Sequence, residues 1–421
     1  MTRLAQDCFA HGGGRIAVGA ALALLEERVA PVAGVETVPL AWALGRCLAE
    51  PLVSPRDVPA FDNAAVDGYA FAFAGSMREA GARLALAPGR AAAGHAFAAT
   101  LPPGAALRVL TGAVMPAGAD TVALQEEVEV AGEAVTVPAG LRRGANRRLA
   151  GEDVRAGQVA LQPGVRLRPQ EIGIAAELGQ ASLTVHEPLR VAVLSTGDEL
   201  VEPGRELARG AVFDANRHIL CALLRSVPAE VTDLGIVRDD PGEVRAALER
   251  AAAGHHAILT TGGASRGDED HVVRSVQALG RLDFWQIAMK PGRPLAFGRL
   301  GDAVFVGLPG NPVAAMVCFL LFARPVLLRL GGAGWRRPTA FPVSAAFALR
   351  KRPGRSEYLR ATLAPDKAGL PRARRIEREG SGILTSMVEA QGLVELDDAV
   401  ERVDPGDTVR FLSFPELGIP A

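Results

Sequence analysis

The pattern of apolar and polar residues over 190–325 alternates between two spacings. Short apolar runs rich in β-branched residues are typical of buried strands. They occur at 190–194, 231–237, 257–261 and 303–308. Apolar residues at three- and four-residue spacing predict helices between these runs, and Asp240 would cap one helix that Pro241 opens. Strands that alternate with helices predict a central α/β domain with a mostly parallel sheet.

Three polar loops follow strands of this predicted sheet at the point where each strand ends. They contain Ser195, Thr196, Gly197, Asp198 and Glu199; then Gly262, Gly263, Ser265, Asp268 and Asp270; and then Pro309, Gly310 and Asn311. Because the carboxyl ends of parallel strands meet at one edge of a sheet, we expect all three loops to open on the same edge. By itself the 262–270 loop is as compatible with a strand-to-helix turn as with an anion or metal site. Its place beside two other polar loops favours a binding site.

The rest of the pattern predicts a multidomain protein of the α/β plus β class. Apolar spacing predicts one helix from Ile16 to Val29 and a second, short helix around Trp42 to Leu48. Short alternating segments after residue 56 and after residue 335 predict β-rich units. The predicted units are a helical and linking scaffold of residues 15–56 with 154–185, a β-rich insert domain of 57–153, an α/β domain of 186–330 and a C-terminal β-barrel of 336–418.

The composition of the 421 residues limits the function classes. A formal net charge of −1 gives no electrostatic basis for binding nucleic acid or an anionic membrane. The four cysteines are far apart, form no CxxC pair or zinc pattern, and suit a reducing compartment. The N-terminus lacks the apolar core of a signal peptide, and the apolar run from Val313 to Ala323 is short for a bilayer span. We therefore expect a soluble, cytoplasmic protein.

Familiar catalytic patterns do not occur in the sequence. No nucleophile motif surrounds a histidine, and there is neither a GxxxxGK[ST] motif nor a GxGxxG motif after the first strand of the α/β domain. Acidic loop residues can bind a hard cation, and Lys290 and Arg293 flank a Pro-Gly turn that stiffens their placement. The candidate metal ligands are Glu199, Asp239, Asp240, Asp268 and Asp270. Cations beside an acid-bound metal suit a tetrahedral oxyanion, which indicates metal-dependent group transfer on a phosphorylated small molecule.

Nine sequence motifs extend this picture over nearly the whole chain. They are DVPAFDNAAVDGYA, TGAVMPAGADTV, GEDV, STGDEL, FDANR, GIVRDDP, TTGGASRGDED, MKPGRPLAFG and GLPGNPVAA. In this order and at this spacing they resemble the molybdopterin molybdenumtransferase (MoeA) family, which includes the homologous part of the scaffold protein gephyrin.

The resemblance implies a reaction and an assembly. The reaction is insertion of molybdate into adenylylated molybdopterin, which releases AMP, yields molybdenum cofactor and depends on Mg²⁺. The assembly is an elongated homodimer of four-domain subunits, in which each active-site cleft receives loops from both subunits. The implied protein partners are the molybdopterin adenylyltransferase and proteins that mature molybdoenzymes.

The resemblance also assigns roles to residues. Residues that would reach the cleft from one subunit are Asp67, Thr111 and Asp153. Residues that would bind pterin, phosphates or magnesium are Glu199, Ser265, Asp270, Pro309 and Asn311, with the neighbouring loop residues Ser195, Thr196, Gly197, Gly262 and Gly263. The molybdate pocket would consist of Lys290, Arg293, Arg355 and Ser381. The catalytic residues would be Asp67, Asp153, Glu199, Asp270 and Lys290.

Two positions depart from the family pattern. Many relatives have lysine where Gln286 stands, and Arg293 replaces a frequent lysine with a planar fork.

Two alternative functions stay open. A molybdopterin adenylyltransferase would share the fold of the middle domain, although residues 1–185 and the terminal barrel argue against it. The second alternative function is that of a non-catalytic, gephyrin-like scaffold, although no long Pro/Ser linker or second adenylyltransferase domain accompanies the motifs.

Overall fold

The structure is a computed structural model that describes residues 15–262 and 271–420. Its N-terminal part contains one long helix and many short strands. In chain order the elements are α1 (Val18–Arg28), β1 (Val35–Pro39), a 3₁₀ turn (Leu40–Trp42), β2 (Leu52–Val53), β3 (Asn63–Ala64), β4 (Gly68–Phe71), α2 (Met77–Ala80), β5 (Ala82–Ala91), β6 (Ala105–Val109), β7 (Thr121–Leu124), β8 (Glu129–Ala131), β9 (Ala134–Val137), β10 (Arg147–Arg148), β11 (Val159–Leu161), α3 (Pro169–Glu177) and β12 (Ser182–His186).

The chain segments on either side of the insert pair with each other. β1 is antiparallel to β12 and β2 is antiparallel to β11, and apolar side chains from both segments share one core. The helix predicted around Trp42 to Leu48 is wrong. Gly45 takes a φ of 79° directly after the 3₁₀ turn, and Leu48 then forms an antiparallel bridge with Val185. Pairing with β12 therefore overrides the local helical spacing.

α1 covers most of the predicted first helix, but its apolar face lies in the core of the α/β domain. Val18, Ala21 and Leu25 are buried there. The backbone of Ile16 also pairs with this domain, because its N–H donates to the carbonyl of Gln286 at 2.9 Å and its carbonyl accepts from Ala288 N–H at 2.8 Å. The N-terminal segment is thus tied to the domain that follows the scaffold in sequence.

The insert contains a six-stranded sheet with the order β7-β4-β6-β5-β9-β8. β4 is buried along its whole length between β6 and β7. Gly68 at its start allows this close pairing, because a Cβ there would lie 2.0 Å from the carbonyl oxygen of Ala123. The preceding residue, Asp67, is held at the end of this rigid strand.

The α/β domain alternates strands and helices as the sequence predicts. Its elements are β13 (Leu189–Thr196), β14 (Leu200–Val201), β15 (Val212–Phe213), α4 (Ala215–Leu224), β16 (Ala229–Val237), α5 (Pro241–Gly254), β17 (Ala257–Thr261), α6 (His271–Leu279), β18 (Arg281–Gln286), β19 (Met289–Lys290), β20 (Pro294–Leu300), β21 (Ala303–Leu308), α7 (Pro312–Cys318), a π-helical turn (Phe319–Ala323) and α8 (Arg324–Leu330). The main sheet has the order β16-β13-β17-β21-β20-β18, parallel from β16 to β21 and antiparallel beyond it. Apolar cores lie on both faces, which confirms the mostly parallel, doubly covered sheet.

The last helical run of this domain is longer than the apolar pattern predicts. It continues through Pro325, where the π-helical turn Phe319–Ala323 passes directly into α8. The run Pro312–Leu330 has 19 residues, and by length and composition it could cross a membrane. However, 72% of its most apolar window is buried inside the protein. It is therefore a core helix in this structure.

The C-terminal region forms the predicted barrel. Its elements are β22 (Phe341–Ala345), β23 (Leu349–Arg350), β24 (Ser356–Pro365), β25 (Pro371–Arg375), α9 (Thr385–Glu389), β26 (Gly392–Leu396), β27 (Arg402–Val403) and β28 (Thr408–Ser413). The five strands β24, β25, β22, β28 and β26 close on themselves, because β26 pairs with β24. Closure leaves no free edge within this set of strands. The α/β plus β fold class is confirmed.

Candidate functional site

The carboxyl ends of three neighbouring parallel strands lie side by side. β13, β17 and β21 are adjacent and parallel in the sheet, so their carboxyl ends lie at one edge. The loops after β13 and β21 begin at this edge as predicted, whereas residues 263–270 of the middle loop lie outside the described residues. Thr261 Oγ1 donates to the carbonyl of Pro309 at 3.3 Å. Asn216 Nδ2, at the start of α4, donates to Thr261 Oγ1 at 2.8 Å and to the carbonyl of Gly310 at 2.6 Å. These bonds fix two of the loops relative to each other.

Glycines allow these loops to pack tightly. Gly262 has a φ of 83°, and a Cβ there would lie 2.9 Å from the carbonyl oxygen of Thr196. A Cβ on Gly197 would lie 2.6 Å from the carboxylate of Glu199. Ser195 is fully buried and Thr196 is 6% exposed. The side chains of these two residues therefore lie within the sheet, and Asp198 and Glu199 are the exposed acids of this loop.

A cleft of about 780 Å³ opens between this sheet edge and the C-terminal barrel. Its walls bring together several residues assigned to the site from the sequence: Glu199, Lys290, Arg293, Pro309, Asn311, Arg355 and Ser381. The cationic side chains that line it are Lys290, Arg293, Arg355, Arg360 and Arg375, against the carboxylates of Glu199 and Glu379. We call it the cation cleft. Excess positive charge in a concave site favours an oxyanion ligand.

A buried carboxylate positions two of these cations. β19 pairs with β24, which places Lys290 beside Glu357. The side chain of Glu357 is 4% exposed and accepts from Arg355 Nη2 at 2.8 Å and Nε at 3.0 Å. Lys290 Nζ lies 4.0 Å from the other carboxylate oxygen. Charge-assisted hydrogen bonds therefore hold Arg355 firmly on Glu357, and Lys290 lies next to it at ion-pair distance from the same carboxylate.

The opposite part of the wall contains further arginines. Arg360 is 9% exposed; its Nε donates to Ser386 Oγ at 3.1 Å and its Nη2 to the carbonyl of Arg378 at 2.6 Å. Burial and, next, the charge of Arg375 lower the pKa of Arg360. Glu379 accepts from Arg375 and lies 3.7 Å from Lys290 Nζ. Glu379 thus occupies the space between two cations of the cleft.

Helix α7 presents its N-terminus to the same cleft. Asn311 is the N-cap residue, and its side chain makes no capping hydrogen bond. The N–H of Val313 donates to the carbonyl of Ser381 at 3.0 Å, which holds the Ser381 loop of the barrel against the helix. The amide of Asn311 is exposed beside Pro309, where it can bind a ligand in the cleft.

The residues assigned to the insert domain do not line the cation cleft of their own chain. Asp67 Oδ1 accepts from Thr111 N–H at 2.8 Å and from Thr111 Oγ1 at 2.7 Å. These hydrogen bonds hold the pKa of Asp67 below its ordinary value. Asp153 is exposed, and its N–H donates to the carbonyl of Val58 at 3.0 Å. The structure therefore forms the Asp67–Thr111 pair but does not include it among the residues that line the cation cleft.

The predicted metal ligands are only partly within the described residues. Asp268 and Asp270 lie outside the described residues, as do the predicted binding residues Gly263 and Ser265. Asp240 caps α5 by accepting from Gly242 N–H at 2.9 Å and Glu243 N–H at 3.0 Å, and Asp239 N–H donates to Asp198 Oδ1 at 3.1 Å. Within residues 15–262 and 271–420, no group of three or more His, Cys, Asp or Glu residues could hold a metal ion. Glu199 is the metal candidate that lines the cleft.

Sequence reasoning missed several residues of the cleft and its support. They are Asn216, Glu357, Arg360, Arg375 and Glu379. The motif FDANR contains Asn216, which was a usable signal. Arg360 and Arg375 are separated by 15 positions on two barrel strands, in a chain whose positive charge is nearly all arginine. Their spacing alone therefore carried no signal.

Three family models match the chain in succession. The MoeA N-terminal region (domain I and II) matches residues 16–179. A probable molybdopterin binding domain matches residues 192–329. The MoeA C-terminal region (domain IV) matches residues 342–414. Together these models cover both walls of the cation cleft.

Curated relatives and a solved structure are similar over almost the full chain. A molybdopterin molybdenumtransferase of Haemophilus influenzae is 35% identical over 91% of this chain and 94% of its own length. A molybdopterin molybdenumtransferase of Nostoc is 33% identical over 90% of this chain and 89% of its own. The crystal structure of a molybdopterin biosynthesis MoeA protein from Pyrococcus horikoshii superposes with a TM-score of 0.78, at 28% identity, over 95% of this chain and 100% of that one.

Proposed function

The chain belongs to the molybdopterin molybdenumtransferase (MoeA) family, and from this premise we propose that it inserts molybdate into adenylylated molybdopterin with release of AMP. It is a transferase of molybdenum cofactor biosynthesis, with molybdopterin and molybdate as substrates. The observation that carries the finer proposal is the cation cleft, where a lysine and four arginines face two carboxylates at the carboxyl ends of the sheet. That charge excess suits a substrate pair that consists of an oxyanion and a phosphoanhydride.

Each wall of the cleft has its own part in this proposal. Lys290 and Arg355, held side by side by Glu357, bind molybdate oxygens, and Arg293 with Ser381 completes that pocket. The amide of Asn311 and the loop after β13 lie on the sheet side, where the pterin and phosphates would bind. Orientation of the two substrates in one charged cleft is the chemical contribution of the chain.

Magnesium fits the donors on the sheet side. Mg²⁺ is usually held by one or two carboxylates together with substrate phosphates, so a three-residue cage is not required. Glu199 is an exposed carboxylate in the cleft and would hold the ion, and Asp268 and Asp270, which lie outside the described residues, stay further candidates from the sequence. When bound, Mg²⁺ would offset the charge of the phosphoanhydride. Asp240 is less suited, because its Oδ1 caps α5.

The lysine missing at Gln286 affects this pocket less than the sequence alone indicates. Gln286 is the last residue of β18, and its carbonyl accepts from Ile16. It does not line the cation cleft, whereas Arg360 and Arg375 do. Those two arginines supply positive charge that the family motifs do not include.

The test is molybdate-dependent AMP release from adenylylated molybdopterin. Lys290→Ala should reduce the rate by at least about a hundredfold, because it removes a charge that stabilises the oxyanion. Lys367→Ala is the matched control, since Lys367 is exposed and lies outside the cleft. Wild-type turnover in Lys290→Ala would contradict the assignment. ATP consumption with unmodified molybdopterin would instead identify an adenylyltransferase.

The assembly and location are part of the same proposal. The chain would act as a cytoplasmic homodimer in which Asp67, Thr111 and Asp153 of one subunit complete the cleft of the other. The support is that these residues are placed on the insert domain, away from the cleft of their own chain. The adenylyltransferase and molybdoenzyme maturation proteins would supply its substrate and receive its product.

A further inference from the structure

A second cleft, of about 790 Å³, lies where the scaffold, helix α8 and the C-terminal tail meet. It shares no lining residue with the cation cleft. Its charged lining residues are Arg166, Arg168, Arg324, Arg336 and Arg337, against Glu171 and Glu416. We call it the arginine cleft. Five arginines against two glutamates give it a positive charge that the near-neutral chain does not have as a whole.

Two guanidinium groups at the base of this cleft lack a carboxylate partner. Arg166 and Arg324 are each half-buried, and neither forms an ion pair with a residue in the described part of the chain. Arg324 Nε is inaccessible to water and has no hydrogen-bond partner there. Burial and, next, the positive charge of Arg166 lower the pKa of Arg324, although the negative charge of Glu416 acts in the opposite direction. A desolvated cation next to a like charge is costly unless an anion accompanies it.

The surrounding contacts hold these arginines in place. Arg166 donates from Nε to the carbonyl of Gly45 at 3.1 Å and from Nη1 to the carbonyl of Ser226 at 2.9 Å. Gly418 packs against the guanidinium of Arg324 so closely that a Cβ there would lie 2.3 Å from Nε. Both groups are therefore positioned before any ligand binds, which reduces the entropy cost of binding.

The two glutamates of the cleft already have partners. Glu171 accepts from the backbone N–H of Arg168 at 2.9 Å and from its guanidinium, as a capping box of α3. Glu416 accepts from the N–H of Thr339 at 2.8 Å. Neither carboxylate lies within 4.0 Å of Arg324 or Arg166. Glu416 offsets the charge of Arg324 only through space, so Arg166 and Arg324 can still pair directly with an external anion.

We propose that the arginine cleft binds a phosphorylated small molecule, with its phosphate held between Arg166 and Arg324. Arg166 Nε and Nη1 already donate to backbone carbonyls and Arg324 Nε is buried, so the phosphate would accept from the remaining Nη groups of the two guanidinium groups. The rest of the ligand would lie on the apolar part of the wall, formed by Leu44, Leu161 and Leu328. This site is separate from the proposed transferase site, so its occupancy does not depend on that reaction.

The experiment is calorimetric titration of the full chain with inorganic phosphate and, separately, with AMP. Arg324→Met keeps the aliphatic stem and should weaken the phosphate affinity about tenfold or more. Arg90→Met is the matched control, an exposed arginine of β5, and should leave it unchanged. Lys290→Ala should retain the Arg324-dependent binding, which separates this cleft from the cation cleft.

The two titrants identify the source of the phosphate. The binding that depends on Arg324 is the part that Arg324→Met loses. If its affinity is higher for AMP than for phosphate, the ligand is a phosphate ester with a group on the apolar wall. Equal affinities make free phosphate the ligand and overturn the ester assignment. Equal affinity of wild type and Arg324→Met for both titrants, or no binding by wild type at millimolar phosphate, overturns the site.

Two further measurements keep the result decisive. If Arg324→Met does not fold, Arg336→Met, at an exposed position of the same cleft, should still weaken phosphate binding about threefold. Light scattering is recorded for each variant. A change of oligomer mass in Arg324→Met, with no phosphate binding by wild type, would mean that the cleft is an interface between copies and would overturn the proposal.

Discussion

Lys290 and Arg355 share one buried carboxylate, and this arrangement sets the charge of the proposed molybdate pocket. Glu357 can neutralise one of the two cations, so the pair keeps an excess of positive charge when it is desolvated. Because Glu357 already positions Lys290 and Arg355, binding of an oxyanion loses little further side-chain entropy. A pocket built this way favours an anion through fixed charge rather than through movement of flexible side chains.

Glu379 has a different position, since its exposed carboxylate lies between Lys290 and Arg375 in the space that an oxyanion would enter. Glu379→Gln should therefore lower the KM for molybdate about threefold to tenfold with little change in kcat, because it removes a competing negative charge. Steady-state AMP release at varied molybdate concentration measures both constants.

Glu377→Gln is the matched control for this variant, because Glu377 is an exposed neighbour that does not line the cleft. It should leave the KM for molybdate unchanged. A raised KM in Glu379→Gln would mean that the carboxylate positions Lys290 and Arg375 rather than competing with the oxyanion.

At the scale of elements, the turn between β19 and β20 connects the barrel side of the cleft to helix α7. Gly292 in this turn has a φ of 100°, and a Cβ there would lie 2.4 Å from Cys318 Sγ. Cys318 is fully buried in α7, and its thiol donates to the carbonyl of Gly292 at 3.3 Å. The turn that carries Lys290 and Arg293 is thus placed by direct contact with the core helix.

Gly292→Ala should destabilise the protein by about 2–4 kcal/mol, because it adds a clash in a close-packed core to a strained positive φ. Gly354→Ala is the control, since Gly354 has a φ of 83° and no atom within 4 Å of its would-be Cβ. It should cost about 1 kcal/mol from the backbone alone. Differential scanning calorimetry compares the two, and equal losses would show that contact with Cys318 is not limiting.

At the scale of the whole molecule, the cation cleft is assembled from parts distant in sequence. One wall comes from the sheet edge of the α/β domain and the other from the barrel, which begins after α8. The insert domain contributes no residue to this cleft within one chain. Under the proposed function, a second copy supplies that contribution.

A mixture of two inactive variants tests this arrangement. Lys290→Ala and Asp67→Asn each remove one side of the proposed shared site, so a mixed dimer would have one doubly altered site and one intact site. Random pairing of equal amounts of the two variants makes half of the dimers mixed, and each mixed dimer has one intact site of two. Refolding or coexpressing the two should therefore recover about a quarter of wild-type AMP release. Neither variant alone should recover it. No recovery in a verified mixed dimer would place both residues in the site of one chain.

The sequence by itself determined much of the architecture and predicted several residues that line the cation cleft. Alternation of strands and helices over 190–325 predicted the sheet, and the carboxyl ends of β13, β17 and β21 lie at one edge of it as expected. Asp240 and Pro241 marked the start of α5 because capping depends on local backbone geometry. Local rules failed around Trp42 to Leu48, where pairing with β12 competes with helical spacing, and at Pro325, where the helix continues.

Only the tertiary structure decided which side chains face one another. Lys290 and Glu357 are 67 positions apart in sequence and meet because β19 pairs with β24. Arg360 and Arg375 join them because the barrel closes, and the arginine cleft exists because α8 and the C-terminal tail pack against the scaffold. Electrostatic interactions depend on distance and burial in space, and neither quantity is a property of spacing along the chain. Motifs therefore identified Lys290, whereas its partners needed the fold.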